Sequence, residues 1–560
     1  MLCQADRCMR RVLLLLVPVA ALATLTATGP ARGAGATGAT GAPAWSPPLQ
    51  LPKWSGSEPS VAIDPKDASA VYVSAPQHIP AVLNQAAGNT TSGSNGVGFW
   101  ASHDGGKTFP INSNIASTNG GGDSDVEVGL DHTVYVADLE AVTTDLCTSN
   151  DGGKTFTAPT LVGSTPCGPV SGSHQGPETD REWITRGNNG ELYLTYHDFA
   201  GGLPIIMKST DKAKSFLPCG SILDPGGAAG QNYSPVAGTL VPKPVIGKDG
   251  SVYVEVTEPD QASPPIGANL THLFMTVGKG GCNGVFTNHL IYSDPGASFG
   301  KIFDNQAVDG GDVLYVVAAG KSRAGQSTTN LWLFTSHDQG VTWSPPIQVN
   351  TPDLKANAMP AIAGGLAKDQ VVLGWFGSTN ASDPNDTKAQ WRYYGATSFD
   401  GGKTFSQSVV TPDVIHYGDI CTQGVFCGLI PGQPSNRNLA DFSSAAVDPV
   451  TGCAILVVPG DPYNRPDQTN GPNTFDSSAY VSRQVGGACL AAQTTAGGTA
   501  TPAAARAAAT PSGNGAPASV GAGRLPATGG TVPAWIALGL ATAGLAVFGL
   551  RRRVAASQRG

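Results

Sequence analysis

Charge is scarce in this 560-residue chain: Asp, Glu, Lys and Arg together make up 13% of it, and the formal net charge is -8. Such a balance leaves no basic surface for nucleic acid. The sequence has no phosphate-binding loop, no G-x-S-x-G elbow and no nucleotide-binding glycine fingerprint, which argues against cofactor chemistry. It also lacks the CxxC or His-rich spacing of a zinc site, so no cofactor is expected. Glycine is abundant instead, at 73 residues, as suits an exported β-protein with many turns.

An octapeptide of the form Ser-x-Asp-x-Gly-x-Thr-aromatic recurs at Ser102 to Phe109, Ser149 to Phe156, Ser336 to Trp343 and Ser398 to Phe405. Worn copies stand at Ser209 to Phe216 and Tyr292 to Phe299. Its chemistry is that of a hairpin corner: the Asp carboxylate accepts backbone N–H bonds, Gly supplies positive φ, and the terminal aromatic is buried. Ahead of each copy run an apolar strand, a polar turn and an alternating strand, as in VEVGLDHTVYVAD (126–138) and PVIGKDGSVYVEV (244–256).

Two strands, a hairpin and a corner leading into a last strand make a four-stranded antiparallel blade. Seven inner pairs against six corners predict an all-β propeller of seven blades, with six as the alternative. The seventh unit ends at residues 478–484 without a corner, and the segment 49–54 is a candidate for its missing outer strand.

These octapeptides resemble the Asp-box, or BNR, repeats of sialidases and related propellers. The resemblance spans roughly 58–490 and implies the fold more strongly than any activity, because Asp-boxes in that family sit away from the active site and also occur in propellers that only bind.

Arg10 and Arg11 precede the apolar run from Val12 to Ala23, the pattern of a signal peptide over 1–33, with cleavage between Ala27 and Ala36. Met9 is an alternative start, and either start removes Cys3 and Cys8 from the mature chain. Residues 34–57 form a linker with the possible ring-closing strand, and 58–490 the propeller. The Ala/Gly/Thr/Pro-rich stretch 491–524 cannot build a core and reads as a wall-spanning stalk. Leu525-Pro526-Ala527-Thr528-Gly529, the apolar span 531–550 and the basic tail 551–560 then look like the LPxTG sorting signal of Gram-positive surface proteins. That resemblance implies sortase cleavage between Thr528 and Gly529 and linkage to peptidoglycan; an ordinary C-terminal membrane anchor is the alternative. Either way the propeller, expected to be a monomer, lies outside the cell.

Eight cysteines remain after export. Nearest-neighbour pairing joins Cys147 with Cys167, Cys219 with Cys282, Cys421 with Cys427 and Cys453 with Cys489, one of the 105 connectivities open to eight cysteines.

Ligands of a propeller bind at the mouth of its central channel, where the innermost strands begin. The ionisable residues at those starts are Glu58, Asp123, Asp125 and Glu127, the run Asp180, Arg181 and Glu182 beside Trp183, then Asp304, Arg437 and Asp441. Arg181 and Arg437 are positioned to grip a carboxylate, and Asp180, Arg181 and Glu182 are the catalytic candidates. The same residues would serve equally as turn caps and ties between blades. GGGDSD (120–125) offers Asp123 and Asp125 to Ca²⁺, but that ion takes six or more oxygens and only two or three are in view, so no metal is expected.

The sialidase resemblance implies an arginine triad, an Asp acid/base and a Tyr activated by Glu. The Arg-Ile-Pro motif is missing, its place taken by Glu58-Pro59-Ser60. Tyr417, Tyr463 and Tyr480 are nucleophile candidates, yet no glutamate follows Glu258. Three readings result: a wall-anchored propeller that recognises a glycan or protein ligand at its channel mouth, a glycoside hydrolase with an unusual site around Asp180, Arg181, Glu182 and Arg437, and a structural surface protein.

Overall fold

A computed structural model describes residues 41–77, 96–115, 122–140, 143–158, 167–169, 179–198, 203–223, 232, 241–261, 268–282, 284–301, 303–422, 436–463 and 477–491. The signal peptide, the stalk beyond 491, the sorting motif with Thr528 and Gly529, the apolar span, the basic tail and Cys427 lie outside the described residues.

The chain folds into seven antiparallel sheets that follow one another in sequence. Their innermost strands are Ser60–Asp64, Ser124–Val128, Thr179–Arg186, Val245–Ile246, Asn305–Val308, Ala356–Gly364 and Ser444–Val447, numbered here as blades one to seven. Each innermost strand meets the next around the ring. This is a seven-bladed β-propeller, and the six-blade alternative falls away.

Strand alternation explains the stacking. On blade four's second strand, Tyr253 packs into the core shared with blade five, while Val252 and Val254 pack into the core shared with blade three. The same two-sidedness recurs on every blade, giving seven apolar cores, each wedged between two neighbours. A blade alone would leave both of those faces in water, so stacking between two neighbours is what buries them. Each fully buried aliphatic or aromatic side chain contributes about 1.5–3 kcal/mol.

Closure comes from the N-terminal segment. Ala44–Trp45 and Leu49–Gln50 pair antiparallel with Ser478–Gly486, the third strand of blade seven, in the registers Trp45 with Gln484 and Leu49 with Val481. Residues 51–56 bridge blades seven and one: the Leu51 N–H donates to Ala479 O and the Gly56 N–H to Ser477 O, while the indole of Trp100 donates to Pro52 O at 2.8 Å.

The octapeptide corners show why the repeat has its form. Asp104 Oδ1 accepts the Ser102 hydroxyl and the N–H groups of Lys107 and Thr108, while Thr108 Oγ1 donates to Oδ2. Asp151 and Asp400 make the same set. Against the small cost of burial, those bonds hold the Asp104 and Asp151 carboxyls down at about 2. Positions four and five both take positive φ, as at Gly152 (74°) and Gly153 (84°). Position five also abuts the preceding blade: a Cβ on Gly153 would lie 2.4 Å from Phe99 Cε1, and one on Gly402 would lie 2.3 Å from Leu333 Cδ2. The corner is therefore an interblade contact as well as a turn. In the worn copy at 292–299, Pro295 stands at position four, where its fixed φ excludes the left-handed region. That corner makes a different turn, with the Gly296 N–H donating to Asp294 Oδ1.

Three disulfides join Cys147 to Cys167, Cys219 to Cys282 and Cys453 to Cys489. The second ties the outer strand of blade three to Gly284–Val285, which adds in parallel to that sheet. Cys421 is also disulfide-bonded. Such bonds indicate an exported protein.

Candidate functional site: a buried arginine clasp at the inner-strand starts

On blade three the ladder pairs Asp180 with His197 and Trp183 with Thr195, so Arg181 and Glu182 together face one residue. This is a β-bulge, a device that re-aims side chains at strand starts. Arg181 takes φ 59°, which an L-residue adopts only when its surroundings hold it there. Here they do. Its Nη2 lies 2.7 Å from Asp441 Oδ2, Nη1 lies 3.5 Å from Glu58 Oε1 and Nε lies 3.4 Å from Asp123 Oδ2. The guanidinium also sits over the ring of Phe303 at 4.4 Å and that of Phe442 at 5.3 Å. Positive φ recurs at Glu58 (49°) and Ala440 (56°), ahead of the inner strands of blades one and seven, and at Met359 (53°) within that of blade six.

Asp441 is shared. Arg437 Nη1 donates to its Oδ1, and Arg437 Nη2 lies 3.1 Å from the Oδ2 that also takes Arg181. Five of the expected residues, Glu58, Asp123, Arg181, Arg437 and Asp441, thus converge from blades one, two, three and seven. Asp180 adds its field to Asp123 and Arg181, and Trp183 packs on Phe442 with centroids 4.8 Å apart.

The carboxyls of this cluster do not share one protonation state. Burial, reinforced by Asp123, pushes Glu58 well above the carboxyl range. Glu182 goes the same way, from burial and then Asp123, and both of its carboxyl oxygens are buried without a hydrogen-bond partner among the described residues. Burial raises Asp123 too, opposed by Arg181. Asp441 moves down, because Arg437 and Arg181 overcome its burial. Arg181 stays charged despite burial, held up by Asp123, Glu58 and Asp441. The clasp therefore sets acids whose proton affinity is raised beside one whose proton affinity is lowered, the kind of separation on which acid and base roles rest.

Three expected residues lie elsewhere, among them Glu127, whose Oε2 lies 3.6 Å from Lys243 Nζ. Asp125 ties the channel wall together: it accepts the Ser60 hydroxyl at 2.5 Å and the Ile184 N–H at 2.8 Å, and faces Lys243 Nζ at 3.0 Å. Asp304 approaches Glu255 through Thr257, although its neighbour Phe303 reaches Arg181. Of the tyrosines, Tyr417 sits on an outer strand of blade six and Tyr480 packs in the core between blades six and seven. Neither position opens on the channel, which is lined from inner-strand starts. Sequence reasoning missed Phe303 and Phe442. The available signal was a Phe beside an Asp at two inner-strand starts, Phe303-Asp304 and Asp441-Phe442.

No known protein-family model matches the chain, and no curated protein matches its sequence. Among solved structures it is similar to a polysaccharide lyase of family PL25, an ulvan lyase, at 9% identity and a TM-score of 0.43, covering 78% of this chain and 95% of that one. It is also similar to an α-L-arabinofuranosidase from Fusarium graminearum (14% identity, TM-score 0.37, 64% and 91%). A third is a Hadza microbial sialidase (12% identity, TM-score 0.37, 70% and 74%). With TM-scores below 0.5, none of these likenesses carries the functional argument.

Proposed function

We propose that the protein is an exported, wall-anchored Asp-box propeller that binds a glycan at the mouth of its central channel, and that the glycan is neutral rather than acidic. The observation that carries this reading is the sharing of Asp441 by Arg181 and Arg437. Both guanidiniums already have carboxylates, so a sugar carboxylate would have to displace a buried ion pair to reach them. Carboxyl groups beside aromatic rings do suit sugar hydroxyls and C–H faces.

Hydrolysis is the second reading. Glu58, pushed up, next to Asp441, pushed down, has the split of a proton donor and a carboxylate base. An array of neutral and sialylated oligosaccharides, probed with the wild type and Asp180→Asn, tests the first reading. The expected result is neutral glycan binding that the variant weakens; unchanged binding would move the site off this mouth. Neutral aryl glycosides added to the same preparations test the second, with turnover expected to vanish in Glu58→Gln.

A further inference from the structure

The second strand of blade four carries a buried acid outside this cluster. Glu255 is fully buried; its N–H donates to Gln306 Oε1, its Oε1 lies 3.0 Å from Thr257 Oγ1, and its Oε2 has no hydrogen-bond partner among the described residues. Thr257 Oγ1 also lies 3.1 Å from Asp304 Oδ2, and Asp304 Oδ1 accepts the Gly300 N–H at 3.3 Å. A threonine hydroxyl owns one hydrogen. It satisfies one carboxyl oxygen, and the other must bring a proton of its own or meet the hydroxyl lone pair to lone pair.

The surroundings supply little compensating charge. Lys301 faces Asp304, but burial lowers its basicity despite the pull of Asp383, which lies 3.9 Å from Lys321. Met275 stands across the ladder from Glu255. Along the same strand pair, Glu258 accepts the Asn232 N–H and His272 contacts the Thr271 hydroxyl. Lys243 lends its carbonyl to Gln306 and turns its ammonium to Asp125 and Glu127.

We propose that Glu255, Thr257 and Asp304 form a proton-holding latch between blades four and five, which keeps Phe303 seated on Arg181 and releases it when the proton is lost. The proton sits on Glu255 Oε1, which donates to Thr257 Oγ1; Thr257 in turn donates to Asp304 Oδ2. Glu255 Oε2 is then an uncharged carbonyl oxygen, far cheaper to bury without a partner than a carboxylate. When solvent base takes the proton, two buried carboxylates face a single hydroxyl. Asp304 is drawn away, and with it Phe303, the residue before it, whose ring lies 4.4 Å from the Arg181 guanidinium. The latch does not depend on which ligand the mouth takes.

Burial pushes Glu255 well above the carboxyl range, reinforced by Asp304, and pushes Asp304 up to about 7. Both groups therefore hold protons more tightly folded than unfolded. Their contribution to stability falls as pH rises from the ordinary carboxyl range, about 4, and levels off once both are ionised. Each retained proton changes the folding equilibrium about tenfold per pH unit within that window.

Two readouts on the purified full chain test this between pH 5 and 9. The denaturation midpoint of the wild type should fall with pH more steeply than those of Glu255→Gln, whose amide keeps a hydrogen for Thr257, and Asp304→Asn, whose amide oxygen still accepts the Thr257 hydroxyl. Labelling of Arg181 by phenylglyoxal, scored against exposed Arg323 by mass spectrometry, should rise with pH in the wild type and stay flat in Glu255→Gln. Parallel denaturation curves for all three proteins would overturn the latch. So would a midpoint at pH 8 that 1 mM Ca²⁺, an arbitrary dose of about that order, raises in the wild type alone, since the pair would then be a cation site.

Discussion

Asp441 is the residue on which the clasp turns, because its carboxylate answers two buried guanidiniums from blades three and seven. Removing one member of a buried ion network leaves the remaining charges unpaired, at a cost of about 3–5 kcal/mol. Asp441→Asn should therefore lose stability of that order in urea unfolding, whereas the half-exposed Asp180→Asn should lose little. Equal, small losses in both would mean that the arginines find other partners. The same logic makes Arg181→Ala a poor probe of binding, since it strands Glu58, Asp123 and Asp441 together. Residue identity at these places was legible in the sequence as ionisable groups at inner-strand starts. Their state was not. Arg181 looked free to take a ligand because its three carboxylates come from residues 58, 123 and 441, distant in sequence and joined only by ring closure.

At the scale of the element, the octapeptide corner is a self-contained unit, and its hydrogen bonds lie within a few residues of one another. That locality is why the repeat announced the blades, and why two local changes, Tyr292 in place of the position-one Ser and Pro295 at position four, accompany the aberrant corner at 292–299. What the octapeptide did not reveal is its contact with the preceding blade, which depends on how far apart the sheets stack. A position-four glycine and a position-five glycine, taken from two different corners, separate the effects. Gly105 has positive φ and open space, the nearest atom to an added Cβ being 4.0 Å away. Gly105→Ala should cost about 1 kcal/mol from backbone conformation alone. Gly153→Ala adds a clash with Phe99 to the same backbone strain, and should cost about 1–3 kcal/mol more. Chemical denaturation of the two variants checks the difference; equal losses would show that the corner packs on nothing. Ala213, at position five of blade three with φ 63°, shows that the backbone strain by itself is tolerated.

Taken whole, the molecule is a ring whose two ends are pinned together at blade seven, with its apolar cores between blades and its charged groups gathered where inner strands start. Blade number was legible because strand pairs and corners repeat at a blade-sized spacing. The closing strand was harder to read. The segment 49–54 was a candidate for it; pairing takes in its first two residues, 49–50, together with 44–45 ahead of it, and the residues after Gln50 bridge blades seven and one. Short two-residue pairings carry too little alternation to be read in advance. The ring brings Phe303, Phe442 and Trp183 around an arginine whose Nη2 is already bound to Asp441, and the proposal of a neutral glycan rests on that arrangement.

The most direct test of that claim is a binding comparison between neutral oligosaccharides and their own sialylated counterparts, with the wild type and Asp180→Asn side by side. The account expects binding to the neutral members, at least tenfold weaker binding once sialic acid is added, a difference of about 1.4 kcal/mol, and loss of the neutral signal in the variant. A preference for the sialylated members would contradict it, because Arg181 and Arg437 would then have to release Asp441 to a ligand carboxylate.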